Sequence, residues 1–149
     1  MREIKFRAWN PTFRKMLSAN QIFVGDFGIV QSDGRHFTKL TDNIIPLQYT
    51  GLKDKKDKEI YEGDIVIHEY PAGYTYYEVR FGEFDNGGEY EDSEVGVGWY
   101  FITLMEYYSA FGVEYIDAPD EIRNILGYPH YSQTEVIGNI YENKELLDV

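Results

Sequence analysis

Residues 49–70 decide the fold, and they read YTGLKDKKDKEIYEGDIVIHEY. Apolar residues stand on either side of a charged centre at 53–59, which predicts two strands joined by a turn. Residues 62–64 (Glu-Gly-Asp) predict a second tight turn, because Gly accepts a positive φ and Asp can bond to its own backbone. The segment 65–70 follows as a strand, and apolar and charged residues alternate in 74–81 as in the next one. The region therefore predicts an antiparallel meander.

Short alternating segments outside this meander predict further strands. These segments are residues 4–9, 15–19, 21–24, 28–31 and 135–141. One helix is predicted over 117–126, because Asp117 can cap it, Pro119 suits its first turn and Gly127 ends it. Many short strands and one helix favour a small β-barrel with additions, which is a mainly β fold with a minor α+β element.

Charge is distributed unevenly along the chain of 149 residues, whose net charge is −12. Residues 1–58 carry 11 Lys or Arg and 6 Asp or Glu, a balance of +5. Residues 59–149 carry 3 and 20, a balance of −17. Two interpretations are open. Either the basic segment packs on the acidic one or both are solvated, or basic and acidic faces of neighbouring subunits meet.

The composition excludes several classes of protein. With no Cys, the chain has no disulfide, no thiol nucleophile and no thiolate zinc site. The N-terminal residues lack the apolar core of a signal peptide. The longest nearly apolar run, 95–105, is shorter than the ~20 residues that a membrane span needs. We expect a soluble cytoplasmic protein without membrane contact.

No sequence pattern indicates catalysis, phosphate binding or metal binding. There is no G-x-S-x-G, and the glycines at 96 and 98 lack the Lys-Ser/Thr of a phosphate loop. The three histidines are isolated in the sequence: His36, His68 and His130. The loop 85–89 offers oxygen ligands, but it lacks the spacing of a calcium loop, so a solvated acidic loop is favoured. We predict no cofactor, no metal and no enzymatic activity.

Four blocks of the sequence resemble the YopX family of phage and prophage proteins. They are residues 2–9 (REIKFRAW), 48–55 (QYTGLKDK), 58–66 (KEIYEGDIV) and 135–143 (EVIGNIYEN). The resemblance implies a mostly β protein with an SH3-like barrel, encoded by a temperate phage or a prophage and acting in the bacterial host cell. The family has no settled activity, so the resemblance implies no reaction.

The predicted domain organisation combines this resemblance with a soft boundary near residues 42–47. Residues 1–46 form an N-terminal β-hairpin or ribbon extension, and residues 47–149 form the SH3-like barrel domain. The barrel domain includes an acidic loop at 83–94 and the helix at 117–126. Lys56-Asp57 stands where the family often has Asn-Gly, and Lys56 suits a two-residue hairpin poorly. A longer or looser loop is expected there.

Candidate contact residues come from two groups of side chains. The first is a set of tyrosines that can serve as a partner surface, with core or scattered surface use as the alternative: Tyr74, Tyr76, Tyr90, Tyr107 and Tyr108. The second is the basic start of the chain, where Lys5 and Arg7 share one face of the first strand. The predicted partner-contact residues are Arg2, Lys5, Arg7, Tyr74 and Tyr76.

These observations favour a non-enzymatic interaction module that self-associates and binds a host or phage protein. Two other hypotheses are kept. In the first, the acidic region mimics nucleic acid and occupies a DNA-binding host protein. In the second, the basic first strand binds nucleic acid weakly, which the net charge of the chain disfavours.

Overall fold

A computed structural model describes the chain in eight segments, which are residues 3–25, 28–32, 37–40, 44–85, 95–110, 113–117, 124–125 and 131–147. The chain divides into two compact units, Met1–Gly51 and Leu52–Val149. The division falls inside a strand, close to the predicted boundary between residues 46 and 47.

The described residues form thirteen strands. They are β1 (Phe6–Asn10), β2 (Lys15–Leu17), β3 (Ile22–Gly25), β4 (Gly28–Ser32), β5 (Phe37–Leu40), β6 (Ile45–Lys53), β7 (Glu59–Tyr61), β8 (Asp64–Tyr70), β9 (Gly73–Asp85), β10 (Val95–Ala110), β11 (Val113–Asp117), β12 (Asn124–Ile125) and β13 (Thr134–Asn139). Two single-turn 3-10 helices lie at Tyr131–Gln133 and Lys144–Leu146. The prediction of a mainly β fold is confirmed, and the SH3-like barrel stays a prediction.

The first unit is built on the hairpin of β1 and β2. β1 also pairs antiparallel with the first half of β6, and β3, β4 and β5 form a separate antiparallel sheet. Ala8, Leu17 and Ile22 form the buried core of this unit. Ala8 lies on the inner face of β1 because side chains alternate along a strand, as the sequence pattern predicts. Ile4, expected in the same strand, precedes it and is 73% exposed.

The second unit is built on one long antiparallel sheet, in the order β11-β10-β9-β8-β13. β7 pairs with β6, and β12 pairs with β10. Six buried residues from five strands form its core, namely Ile60, Val66, Tyr77, Val79, Phe101 and Val136. A register shift between Thr103 and Met105 lets the long strand β10 continue its pairing with β9.

The predicted helix over 117–126 is wrong at every position of it that the structure describes. Asp117 ends β11, and Asn124–Ile125 form β12. The remaining residues of the prediction lie outside the described residues. At Asn124 and Ile125 the backbone pairs with Phe101 and Tyr100 of β10, so a sheet ladder replaces the hydrogen bonds of a helix.

Asp54 connects the turn between β6 and β7 to the distant strand β13. One carboxylate oxygen of Asp54 accepts hydrogen bonds from the backbone N–H groups of Lys56 (2.8 Å) and Lys58 (2.9 Å). The other oxygen accepts from the backbone N–H of Val136 at 2.8 Å. Asp54 is 6% exposed. These three bonds satisfy a buried carboxylate and give an N–H at the edge of β13 an acceptor.

The turn itself is tight, which corrects the expectation of a longer or looser loop. The N–H of Asp57 donates to the carbonyl of Asp54 (3.0 Å), and the N–H of Asp54 donates to the carbonyl of Lys58 (2.8 Å). Asp57, with φ 65, takes the left-handed conformation that Gly supplies in such turns. Lys56 needs no positive φ there, so it is no obstacle to a short hairpin.

The Gly-Asp turn at residues 63–64 forms as the sequence predicts. Gly63 has φ +81, its N–H donates to the carbonyl of Val79, and its carbonyl accepts from the N–H of Ile140. Asp64 is buried, and its carboxylate accepts from the N–H of Tyr61 at 2.8 Å. This turn therefore attaches β9 and the end of β13 to the start of β8.

Asp54→Ala should lower the free energy of unfolding by about 3 kcal/mol, because three N–H donors lose a charged acceptor and that of Val136 stays buried. Asp54→Asn should cost about 2 kcal/mol, because its NH₂ group would face one of these donors. Urea denaturation measures both values. Asp57→Asn, an exposed change in the same turn, is the control, and an equal loss in that variant would contradict the assignment.

Asp57→Gly should raise the free energy of unfolding by about 0.5 kcal/mol, because Gly removes the strain of a positive φ. The ion pair that is lost, between Lys53 Nζ and Asp57 Oδ1 at 3.4 Å, is exposed and contributes little. Asp57→Ala loses the same ion pair without relieving the strain. Thermal and urea unfolding should therefore rank the glycine variant above the alanine variant, and the reverse order would disprove the explanation.

Candidate functional site

A group of aromatic side chains lies on one face of the sheet of the second unit. Cross-strand pairing places Glu69, Tyr74, Tyr107 and Ile116 in one row across β8, β9, β10 and β11. The neighbouring row contains Tyr76, two residues along β9 on the same face. We call Tyr74, Tyr76 and Tyr107, with Glu69, Glu114 and Ile116 beside them, the tyrosine face.

The three phenol rings pack on each other. The Tyr74 ring stacks on that of Tyr107, with centroids 5.1 Å apart and 26° between the planes. The Tyr74 centroid also lies 5.3 Å from that of Tyr76, and these two rings are tilted by 32°. All three residues are half-buried, whereas Ile116 is 67% exposed. The face is therefore an ordered aromatic surface with an exposed aliphatic side chain at its edge.

Carboxylates supply the charge on this face. The Tyr107 hydroxyl donates to Glu114 Oε1 at 3.1 Å, and this hydrogen bond, with some desolvation, raises the pKa of Tyr107. Burial, with Tyr74 and Glu69 nearby, raises the pKa of Tyr76. Both phenols are consequently neutral hydrogen-bonding groups near pH 7. A partner would meet aromatic rings beside the negative charges of Glu69 and Glu114.

An ion-pair network borders the face on the side of β13. Lys55 Nζ lies 3.4 Å from a carboxylate oxygen of Glu69 and 3.5 Å from one of Glu135. Lys56 Nζ lies 2.6 Å from the other oxygen of Glu135. Hydrogen bonding to Glu135 raises the pKa of Lys56, and hydrogen bonding to Lys56 lowers the pKa of Glu135. Each lysine of this network thus has an acidic partner within the same unit.

Two of the predicted partner-contact residues, Tyr74 and Tyr76, come together on this face. Tyr107, from the wider set of tyrosines, joins them through the register of β9 and β10. Tyr108 points to the opposite face because it is adjacent to Tyr107 in the strand, and Tyr90 lies outside the described residues. No sequence pattern singles out Glu114 and Ile116, which only the pairing of β10 with β11 places here.

The basic residues of the first strand are packed against neighbours in the first unit. Lys5 Nζ lies 4.6 Å from the centre of the Tyr49 ring and 3.5 Å from a carboxylate oxygen of Glu3. Arg7 is half-buried, on the strand face that also carries the buried Trp9. Arg2 lies outside the described residues. Lys5 thus precedes β1, Arg7 lies within it, and both side chains are half-buried rather than fully solvated.

The first unit also has an apolar groove of about 300 Å³. The residues that line it are Ile4, Lys5, Phe6, Ala19, Ile22 and Phe23. Lys5 is the charged residue among them, and its ammonium group already lies over the Tyr49 ring and pairs with Glu3. The other described side chains around the groove are apolar and would offer a ligand apolar contact.

Two observations bear on acid–base and metal chemistry among the described residues. Glu78 is a buried carboxylate, but both its oxygens accept hydrogen bonds from Arg80, each at 2.9 Å. The same bonds to Glu78 raise the pKa of Arg80 above its usual range. No group of three or more His, Cys, Asp or Glu in the described part of the chain could hold a metal ion. Its helices are all too short and too polar to cross a membrane.

Comparison with known proteins supplies the family. The family model described as YopX protein matches residues 5–148. The chain belongs to the YopX family. It is also similar to a solved structure titled "Crystal structure of protein EF1440 from Enterococcus faecalis", with 24% identity, 99% of each chain covered and a TM-score of 0.44. None of the curated proteins matches the chain.

The YopX blocks in the second unit have structural roles. Asp54, in the block at 48–55, bonds to Val136 in the block at 135–143. Gly63, in the block at 58–66, bonds to Ile140 in that same last block. The tyrosine face lies outside the four blocks. Residues of the YopX blocks therefore connect the strands of this unit, whereas the candidate binding surface depends on the register of β8 to β11.

The ion pair of Lys56 with Glu135 predicts a specific pH dependence. Because the folded-state pKa of Glu135 is lowered, its carboxylate stabilises the fold above the ordinary pKa of a glutamate, and this contribution is lost as the pH falls through the lowered value. The difference in free energy of unfolding between wild type and Lys56→Gln should therefore shrink from neutral pH to about pH 3. Lys144→Gln is the control for net charge. If its difference from wild type in free energy of unfolding shrinks equally at low pH, the Lys56–Glu135 ion pair is not the cause.

Proposed function

We propose that this YopX-family protein is a non-enzymatic interaction module that self-associates and binds a host or phage protein through its tyrosine face. In this proposal the gene belongs to a phage or prophage, and the protein acts in the cytoplasm of the bacterial host. The observation that carries the proposal is the packed group of Tyr74, Tyr76 and Tyr107 on one surface of the sheet.

The chemistry of the face supports binding to a protein. Tyrosine combines a large apolar ring with a hydroxyl that can hydrogen-bond, and it is enriched at interfaces and among the residues that dominate their energetics. Exposed Ile116 extends the apolar area beyond the rings. Glu69 and Glu114 give the edge a charge that can select a partner.

The architecture of the face supports the proposal too. The rings stand on β9 and β10, which are paired over thirteen positions, and the Tyr74 ring stacks on that of Tyr107 and lies close to that of Tyr76. A partner would therefore meet side chains that are already ordered. Binding costs less conformational entropy when the surface is pre-organised in this way.

Replacing the central rings should weaken association while leaving the fold intact. We expect Tyr74→Ser/Tyr107→Ser to raise the dissociation constant of self-association at least about tenfold at low ionic strength. Sedimentation velocity measures this constant, and capture from host lysate tests whether the same change releases a bound host or phage protein. Val97→Ser is the matched control, because Val97 is exposed and the register shift between Thr103 and Met105 places it on the face of β10 opposite to Tyr107.

Three outcomes would count against the proposal. A wild-type chain that stays monomeric at low ionic strength would disprove self-association. A tyrosine variant that self-associates and captures host or phage proteins as wild type does would exclude the tyrosine face as the binding surface. Capture of a DNA-binding protein that is insensitive to the tyrosine change but lost at high salt would favour the nucleic-acid mimic instead.

A further inference from the structure

The turn between β1 and β2 presents an aromatic and two cationic side chains at its tip. Phe13 is 78% exposed, and Arg14 and Lys15 beside it are also exposed. The side chain of Asn10 accepts hydrogen bonds from the N–H groups of Thr12 (3.1 Å) and Phe13 (3.2 Å), which fixes the start of the turn. We call residues 13–15 the hairpin tip.

The cations of the hairpin tip differ from others in the described part of the chain. Lys5, Lys55 and Lys56 each have a carboxylate within ion-pairing distance. Within the described ranges, neither Arg14 nor Lys15 has an ion pair or a side-chain hydrogen bond. Their charges are thus available to a second molecule.

The tyrosine face has the complementary chemistry. A guanidinium group stacks favourably on a tyrosine ring and pairs with carboxylates, and Tyr74 and Tyr107 lie beside Glu69 and Glu114. The exposed ring of Phe13 has an apolar counterpart in Ile116. Ile116 lies opposite Tyr107 on the next strand, about 5 Å away. Two adjacent side chains of the hairpin tip are far enough apart to contact both residues at once.

The overall charges of the two compact units agree with this pairing. Residues 1–51 carry 7 Lys or Arg and 4 Asp or Glu, a balance of +3. Residues 52–149 carry the remaining 7 and 22, a balance of −15. Opposite net charges favour encounter between the first unit of one copy and the second unit of another, and they disfavour contact between two second units.

We propose that the hairpin tip of one copy docks on the tyrosine face of a second copy, with Arg14 beside Tyr107 and Glu114 and with Phe13 against Ile116. This inference rests on the proposed function, since it names the surfaces of the self-association step. The two surfaces differ, so the contact is heterologous, and it generates a ring where the rotation closes and a filament where it does not.

Two single-surface variants test the docking. Arg14→Glu removes the cation that docks, and the tyrosine double variant Tyr74→Ser/Tyr107→Ser removes the receiving face. Each alone should associate at least about tenfold more weakly than wild type. An equimolar mixture should form a one-to-one complex and nothing larger, because only one intact tip and one intact face remain in each pair.

Two further variants separate docking from charge and from folding. Lys144→Glu makes the same charge change at another exposed cation and should leave association unchanged. Arg14→Gly removes the guanidinium while favouring the positive φ of this position, which is 50°, so the turn is kept. The glycine variant should weaken association as the glutamate variant does.

Sedimentation velocity of the full chain at low ionic strength reads out each case. The inference is overturned if Arg14→Glu associates as wild type does, if Lys144→Glu weakens association equally, or if the mixture stays monomeric. If the tyrosine double variant associates weakly but Arg14→Glu associates normally, the hairpin tip is excluded as the docking surface and the proposed function still stands. A wild-type chain that is monomeric removes self-association as a whole.

Discussion

The second unit depends on the buried carboxylate of Asp54, which three backbone N–H groups from two separate parts of the chain surround. A carboxylate without these donors would be costly to bury, and the N–H of Val136 without it would lack a partner at the edge of the sheet. One side chain thereby defines the turn at 54–58 and holds β13 beside it. The N–H of Lys55, donating to the carbonyl of Thr134, strengthens the same connection.

With the edge at β13 held, the register from β8 to β11 determines the surface of the unit. Gly73 allows the close approach of β9 to β10, since a Cβ there would collide with the backbone of Tyr107 and Tyr108. This approach keeps Tyr74 opposite Tyr107. Because side chains alternate along a strand, a slip of one residue would move the rings to opposite faces. The tyrosine face is therefore a consequence of backbone pairing as much as of composition.

The charges divide into those used within a unit and those that face outwards. Lys5 lies over Tyr49, Arg80 binds both oxygens of Glu78, and Lys55 and Lys56 share Glu135. These contacts occupy much of the limited positive charge in the described chain. The hairpin tip at 13–15 has no such contact among the described residues, whereas Glu69 pairs with Lys55 and Glu114 accepts a hydrogen bond from Tyr107 although both glutamates are exposed. The net charge of −12 therefore influences solubility and the rate at which partners meet, but it does not indicate where any one contact lies.

The sequence by itself determined the features that depend on near neighbours. The two-residue alternation in 74–81 gave the strand, and Gly63 with Asp64 gave the turn, because side-chain direction and allowed φ are local properties. Tyr74 and Tyr76 are predicted as contacts from the set of tyrosines in the sequence, and their spacing of two residues places them on one face of β9. The tertiary structure decided the rest, namely that Asn124 and Ile125 pair with β10 and that Tyr107, Glu114 and Ile116 join the tyrosines. These positions depend on which strands pair and in what register, and pairing between distant strands is not encoded in any short stretch of residues.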